Sequence, residues 1–170
     1  MTATLSLTGA QHRILDAHLR GAPERVAFAV AAAGAPGHVV VSDVLLVDDA
    51  FLEPGPWCVQ LTDEAQQQIL MWATANSGWV IEMHSHIGPL GDPACFSPTD
   101  IEALATWVPH IRWRLQARPY MAIVVGPKTI DGVAWTGKPG EVESIKTLLV
   151  DGTSTAMTGL SWARISEVRT

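Results

Sequence analysis

The sequence predicts an α+β domain, a curved mixed sheet flanked by helices. Three observations lead there. Apolar runs rich in β-branched residues and bounded by Gly, Pro or Asp recur at 38–47, 79–84, 120–125 and 130–135. Stripe-patterned segments with capping residues lie between them at 8–20, 62–76 and 97–108. The two kinds do not alternate in a regular βαβ beat, and no internal repeat is present, so neither a doubly wound parallel sheet nor a solenoid fits.

Each element has a local reason. Residues 8–20 place Ile14, Leu15 and Leu19 on one helical stripe behind a Thr8 cap, and Gly21-Ala22-Pro23 ends the helix. Residues 24–33 follow that breaker with a Val/Phe-enriched apolar run, read as a buried strand although its alanines favour helix. The run 38–47 is a clearer strand, stopped by Asp48-Asp49. A loop over 48–56 carries Glu53, and 57–61 reads as a short strand in which Cys58 is a small core residue. Thr62-Asp63-Glu64 opens a helix that Asn76 and Gly78 close, and 79–84 is the next strand. A Gly- and Pro-rich loop, 86–96, leads to Ser97-Pro98-Thr99-Asp100 and a helix to about Val108, which Pro109 ends or kinks. Strands 120–125 and 130–135 pair across Gly126-Pro127-Lys128-Thr129, and 142–150 is a last strand before a weakly patterned tail.

Length and composition bound the function. At 170 residues and 18.2 kDa the chain reads as one domain over 1–170. It is long enough to bury roughly 70% of its unfolded surface without disulfides. Only 16% of residues are charged and 48% are hydrophobic, which excludes a disordered tail. A net charge of −6 argues against a partner bound through phosphate neutralisation, so no nucleic acid is expected. Two cysteines, Cys58 and Cys95, make no disulfide framework. The N-terminus lacks a secretory pattern and the apolar runs are too short to span a bilayer, so the expectation is a cytoplasmic protein without membrane contact.

The chemistry concentrates around Glu82-Met83-His84-Ser85-His86 and Ser97-Pro98-Thr99-Asp100. If the strand runs on through 86, His84 and His86 point to one face, a few ångströms apart, which suits a zinc ion. Ser97, Pro98 and Asp100 also read as a helix N-cap, first-turn Pro and first-turn acid, with no metal required. The two readings are compatible, because a helix N-terminus fixes both side chains. His84, His86 and Asp100 then make three ligands and leave a fourth position for water, the catalytic rather than the structural zinc pattern.

His84-Ser85-His86 followed by Ser97-x-x-Asp100 resembles the JAMM (MPN+) metalloprotease family. The resemblance covers most of the chain in element order and implies a JAMM/MPN-like, cytidine-deaminase-like architecture. It implies one zinc per chain on His84, His86 and Asp100, with Ser97 supporting the tetrahedral intermediate and Ser85 at the family's small hydroxyl position, here a candidate substrate contact. The spacer between His86 and Ser97, ten residues over 87–96, is longer than the family's usual spacing. The extra residues read as a surface bulge. Glu24 stands where the family places its catalytic glutamate, although Ala27 and the run VAFAVAAAG replace the family's Gly and its short Leu/Gly run. Glu82, on the strand face of His84 and His86, is the alternative base, a positioning partner, a competing ligand or a solvated strand residue.

The resemblance implies a compact bacterial peptidase or isopeptidase acting after the C-terminal glycine of a ubiquitin-like modifier. Its partners would be the modifier or its conjugate, and an associated activating and conjugating system. Arg112, Trp113, Arg114 and Arg118 form a basic segment on an acidic chain, and Trp113 with Arg112 is a candidate contact for a partner, or else a solvated helix end. Cys95, two residues before Ser97, is an incidental loop cysteine or a cap on the metal site. The readings that compete are a non-catalytic scaffold subunit and a small-molecule amide hydrolase using the same zinc chemistry.

Overall fold

Ala3–Leu7 forms a strand, β1, that pairs on both its edges and so closes the sheet. It runs parallel to β3 (His38–Leu46) on one side and parallel to β9 (Glu143–Val150) on the other. Between these lie β2 (Val26–Ala33), β6 (Trp79–Ser85), β7 (Tyr120–Val125) and β8 (Ile130–Trp135). The ring order is β1-β3-β2-β6-β7-β8-β9, with β10 (Thr153–Ala156) hydrogen-bonded to β9. Two short strands, β4 (Leu52–Glu53) and β5 (Gln60–Leu61), pair separately. Among the described residues four α-helices accompany them: α1 (Gly9–Leu19), α2 (Asp63–Ala75), α3 (Pro98–Arg114) and α4 (Leu160–Val168). This computed structural model describes residues 3–21, 23–53, 59–137 and 140–168. Cys58 and Trp57 lie outside them.

The expected curved, helix-flanked mixed α+β sheet of JAMM/MPN type is therefore corrected to a closed, mixed barrel of seven strands. Closure depends on β1, which local patterning underweights: it is five residues long, and Ala3, Leu5 and Leu7 alternate inward with Thr4 and Ser6. Its two partners sit far along the chain, and pairing of that kind leaves no periodic trace.

Two apolar clusters follow from this closure. One draws residues from all seven ring strands, among them Leu5, Ala29, Val39, Ile81, Ile123, Ala134 and Ile145, and from Leu15 and Leu19 of α1. It is the barrel interior. The other joins the outer face of β2, β6, β7 and β8, through Phe28, Val80, Ala122 and Val133, to α2, α3 and α4. Alternation along β6 therefore sends Ile81, Met83 and Ser85 inward and leaves Glu82 and His84 on the outer face, toward α3.

Three further differences are smaller. Helix α3 runs through Pro109 to Arg114 rather than ending there. Proline removes one helical hydrogen bond, but Leu104, Val108 and Ile111 stay buried along one stripe and carry the helix past it. The strand expected from residue 24 begins at Val26. The tail forms β10 and α4, whose start is held by Asp131, a buried carboxylate on β8 that accepts from the amides of Gly159 and Ser161 at 2.8 and 2.7 Å.

Candidate metal centre

His84 and His86 leave the end of β6, and Asp100 enters from the first turn of α3. The ligating atoms of the three lie within 4.8 Å of one another, and among the described residues they are the one such group of three or more His, Cys, Asp and Glu. His86 Nε2 and Asp100 Oδ2 are 3.1 Å apart, while His84 Nε2 and Asp100 Oδ1 are 3.6 Å apart. All three side chains are largely shielded, 12 to 17% exposed. Phe96, fully buried, stacks near the His84 ring with centroids 5.5 Å apart.

The helix N-terminus supplies the rigidity. Ser97 Oγ accepts from the Asp100 amide at 3.2 Å, and Asp100 Oδ2 accepts from the Ser97 amide at 2.6 Å, a reciprocal cap. Capping and a ligand role are thus compatible in Asp100: Oδ2 serves the cap and lies beside His86, and Oδ1 faces His84. Burial works against the Asp100 charge, but the facing imidazoles and the Ser97 cap hold its carboxyl well below the usual carboxylate range. Burial also works against a charged His84, yet the Asp100 and Glu82 carboxylates outweigh it and raise its pKa above the ordinary imidazole value.

One atom supports the fit of these residues to a cation. His84 Nε2 is buried without a hydrogen-bond partner, on the side of the ring that faces Asp100. An unsatisfied buried nitrogen is expensive. A cation held jointly with His86 and Asp100 would satisfy it. Two imidazoles and one carboxylate are a donor set for zinc or a similar transition metal. No protein-family model matches the chain, and no curated protein matches it.

A cavity of about 550 Å3 opens over the group. Glu24, Glu82, His84, His86, Ser97 and Asp100 all line it, with an apolar wall that includes Val26, Leu61, Leu104 and Trp107. Glu24 arrives from the segment before β2, where its Oε1 accepts from the Ile87 amide at 3.2 Å. Its charge acts on the His84 ring.

Ser85 does not line this cavity. It is buried on the inner side of the sheet, where its Oγ accepts from the Arg25 amide at 2.9 Å. Together with the bond from the Ser85 amide to the Arg25 carbonyl, that contact fixes the chain next to Glu24. Arg112 and Trp113 lie toward the far end of α3, about 20 Å along the helix from Asp100. They border a second, mostly apolar cavity of about 790 Å3 with Val108, Pro109 and Ile165. Trp113 is 73% exposed, and Arg112 donates to the carbonyls of Arg118 and Gly137.

The long spacer is a folded loop rather than a simple bulge. Asp92 accepts from the Lys128 and Thr129 amides and the Thr129 hydroxyl, and Thr129 Oγ1 accepts from the Ala94 amide. Only its tip behaves as a bulge, with Leu90 98% exposed. Cys95, a free thiol, lies outside the ligand group. The residue that sequence reasoning left most open, Glu82, stands behind the His84 ring: its Oε1 is 4.0 Å from Nδ1, on the side away from Asp100.

Proposed function

We propose that the chain is a zinc-dependent peptidase or isopeptidase with JAMM-type chemistry, cleaving after the C-terminal glycine of a ubiquitin-like modifier. The observation that carries the reading is convergence. Glu24 and Ser97, from two separate segments, line the same cavity as the three-ligand group. The fold lends no support, and the reading rests on the site alone.

His84, His86 and Asp100 would hold the ion. Zinc, when bound, supplies the Lewis acidity that makes water a nucleophile near neutral pH. Glu24 takes the proton of the attacking water and returns it to the departing amine. The Ser97 oxygen accepts from the Asp100 amide, which leaves its own hydrogen to be donated to the oxygen that gains charge as the carbonyl is attacked. The apolar wall excludes water from the rest of the cavity and receives the chain on the acyl side of the bond. Neither cysteine has a part in this chemistry.

The test is hydrolysis of a ubiquitin-like fusion ending in glycine, measured with the zinc-loaded protein and with Glu24→Gln at equal metal content. Cleavage by the first and not by the second is expected. Full activity in Glu24→Gln would remove Glu24 from the base role, and inertness of the loaded wild type toward several such fusions would contradict the substrate class.

A further inference from the structure

A chain of hydrogen bonds runs from α3 through β7 to the back of the metal group. The indole Nε1 of Trp107 donates to the Tyr120 hydroxyl at 2.8 Å, and that hydroxyl donates in turn to Glu82 Oε2. The direction is fixed at its start, since an indole nitrogen only donates. Tyr120 oxygen is occupied as an acceptor, so its own hydrogen goes to Glu82. Glu82 then presents its second oxygen, Oε1, toward His84 Nδ1 at 4.0 Å.

We infer that Glu82 is a positioning residue for His84, a carboxylate that keeps the ring's proton on Nδ1 and so leaves Nε2 free to bind the metal. Its place excludes the two other metal-related roles open to it. Nδ1 and Nε2 are on opposite sides of the imidazole, so a carboxylate facing Nδ1 does not share an ion with Nε2. A base must reach the attacking water, and although Glu82 lines the cavity, its Oε2 is engaged with Tyr120 and its Oε1 faces the Nδ1 side of His84, away from Asp100.

A purely structural role would be a poor use of this group. A carboxylate this shielded from water is costly even with the Tyr120 hydroxyl donating to it, and a neutral amide would satisfy Tyr120 equally well. What the amide does not supply is negative charge facing Nδ1. At 4.0 Å the contact is electrostatic rather than a hydrogen bond, and an electrostatic contact suffices to favour one tautomer. Carboxylates behind ligating histidines act in this way in metal sites generally.

The inference rests on the metal reading above, and the experiment separates the two. The affinity of the full-length protein for zinc alone is measured by chelator competition in wild type, Glu82→Gln, Glu82→Asp and Tyr120→Phe, beside their thermal stability. Glu82→Gln keeps the Tyr120 contact through its oxygen and turns an NH2 toward Nδ1. It is expected to weaken zinc binding by about 10- to 100-fold with the fold retained. Glu82→Asp, which keeps the charge, is expected to recover part of that loss. Tyr120→Phe gives a smaller loss in the same direction and carries the test should Glu82→Gln not fold. Unchanged affinity in the folded Gln and Phe variants overturns the positioning role. A wild type that takes up no zinc overturns the metal reading itself.

Discussion

His84 Nε2 and Asp100 Oδ1 stand 3.6 Å apart, outside hydrogen-bond reach, and Nε2 is buried with no other partner. The ring and the carboxylate attract one another without completing a bond, which is the arrangement of two ligands on either side of an ion. The same attraction sets a pH dependence. With its pKa raised, His84 holds a proton to higher pH than a free imidazole, and that proton must leave before a metal binds. Zinc affinity is expected to climb with pH through and beyond the ordinary imidazole range near 6.5. Titrations in non-coordinating buffers between pH 6 and 8 check this, and a flat profile counts against it.

Ser97 caps α3 and, in the proposed mechanism, also donates to the developing oxyanion, and a pair of substitutions separates the two. Ser97→Ala removes the N-cap of α3, which costs about 1 kcal/mol, visible as a lowered denaturation midpoint. It also removes the donor to the developing oxyanion, expected to lower kcat by about 100-fold or more. Ser97→Asn restores a cap without a hydroxyl. Stability that recovers while turnover stays low is the expected pattern, and recovery of both would reduce Ser97 to a cap.

Asp92 links the 86–96 loop to the β7–β8 turn, and its charge is what makes the link strong. The Thr129 hydroxyl, followed by the Thr129 and Lys128 amides, holds its carboxyl below the usual range although burial opposes this. A depressed folded pKa gives stability that is present above the unfolded value of about 4 and is lost as pH falls through the folded one. Asp92→Asn is therefore expected to be less stable than wild type at pH 7, with the difference shrinking toward pH 3. An equal difference at both values would show that the charge is irrelevant.

Gly126 lets two backbones meet at the same place. A Cβ there would lie 2.3 Å from the Gly91 carbonyl oxygen and 2.7 Å from Asp92 Oδ1. Gly91 itself lies against the His86 backbone, where an added Cβ would be 2.9 Å from the His86 carbonyl oxygen. Gly126→Ala is expected to push the loop away and weaken zinc binding although it touches no ligand. Equal zinc affinity in the folded variant would show that the loop does not hold His86.

The grouping of His84, His86 and Asp100 was legible because its signals are local. His-x-His on a strand fixes a shared face, and Ser97 with Asp100 fixes a capped helix start, so each half carries its own geometry in a few residues. Glu82 and Ser85 show the limit of that. Both flank the histidines, yet only the parity of β6 and the contacts with Tyr120 and Arg25 send one behind His84 and the other into the barrel. The barrel was not legible. Its closure joins Leu5 to Val39 on one side and to Leu148 on the other, and such pairing is decided by packing across the whole chain. Helix α4 escaped for a related reason, since beside a long local bond from the Leu160 amide to Thr158 its start is held by Asp131 from β8. Among the described residues no helix is long and apolar enough to cross a membrane, in keeping with the short apolar runs of the sequence.

The most direct measurement is zinc content per chain after equilibrium dialysis, compared between wild type and Asp100→Asn. Asparagine keeps an oxygen for the Ser97 amide and hence the helix cap, but it gives up the anionic ligand. One zinc per wild-type chain, lost in a variant whose circular dichroism and melting are unchanged, is the expected result. Stoichiometric zinc retained by Asp100→Asn, or none in the wild type, would contradict the assignment of His84, His86 and Asp100 as a metal centre.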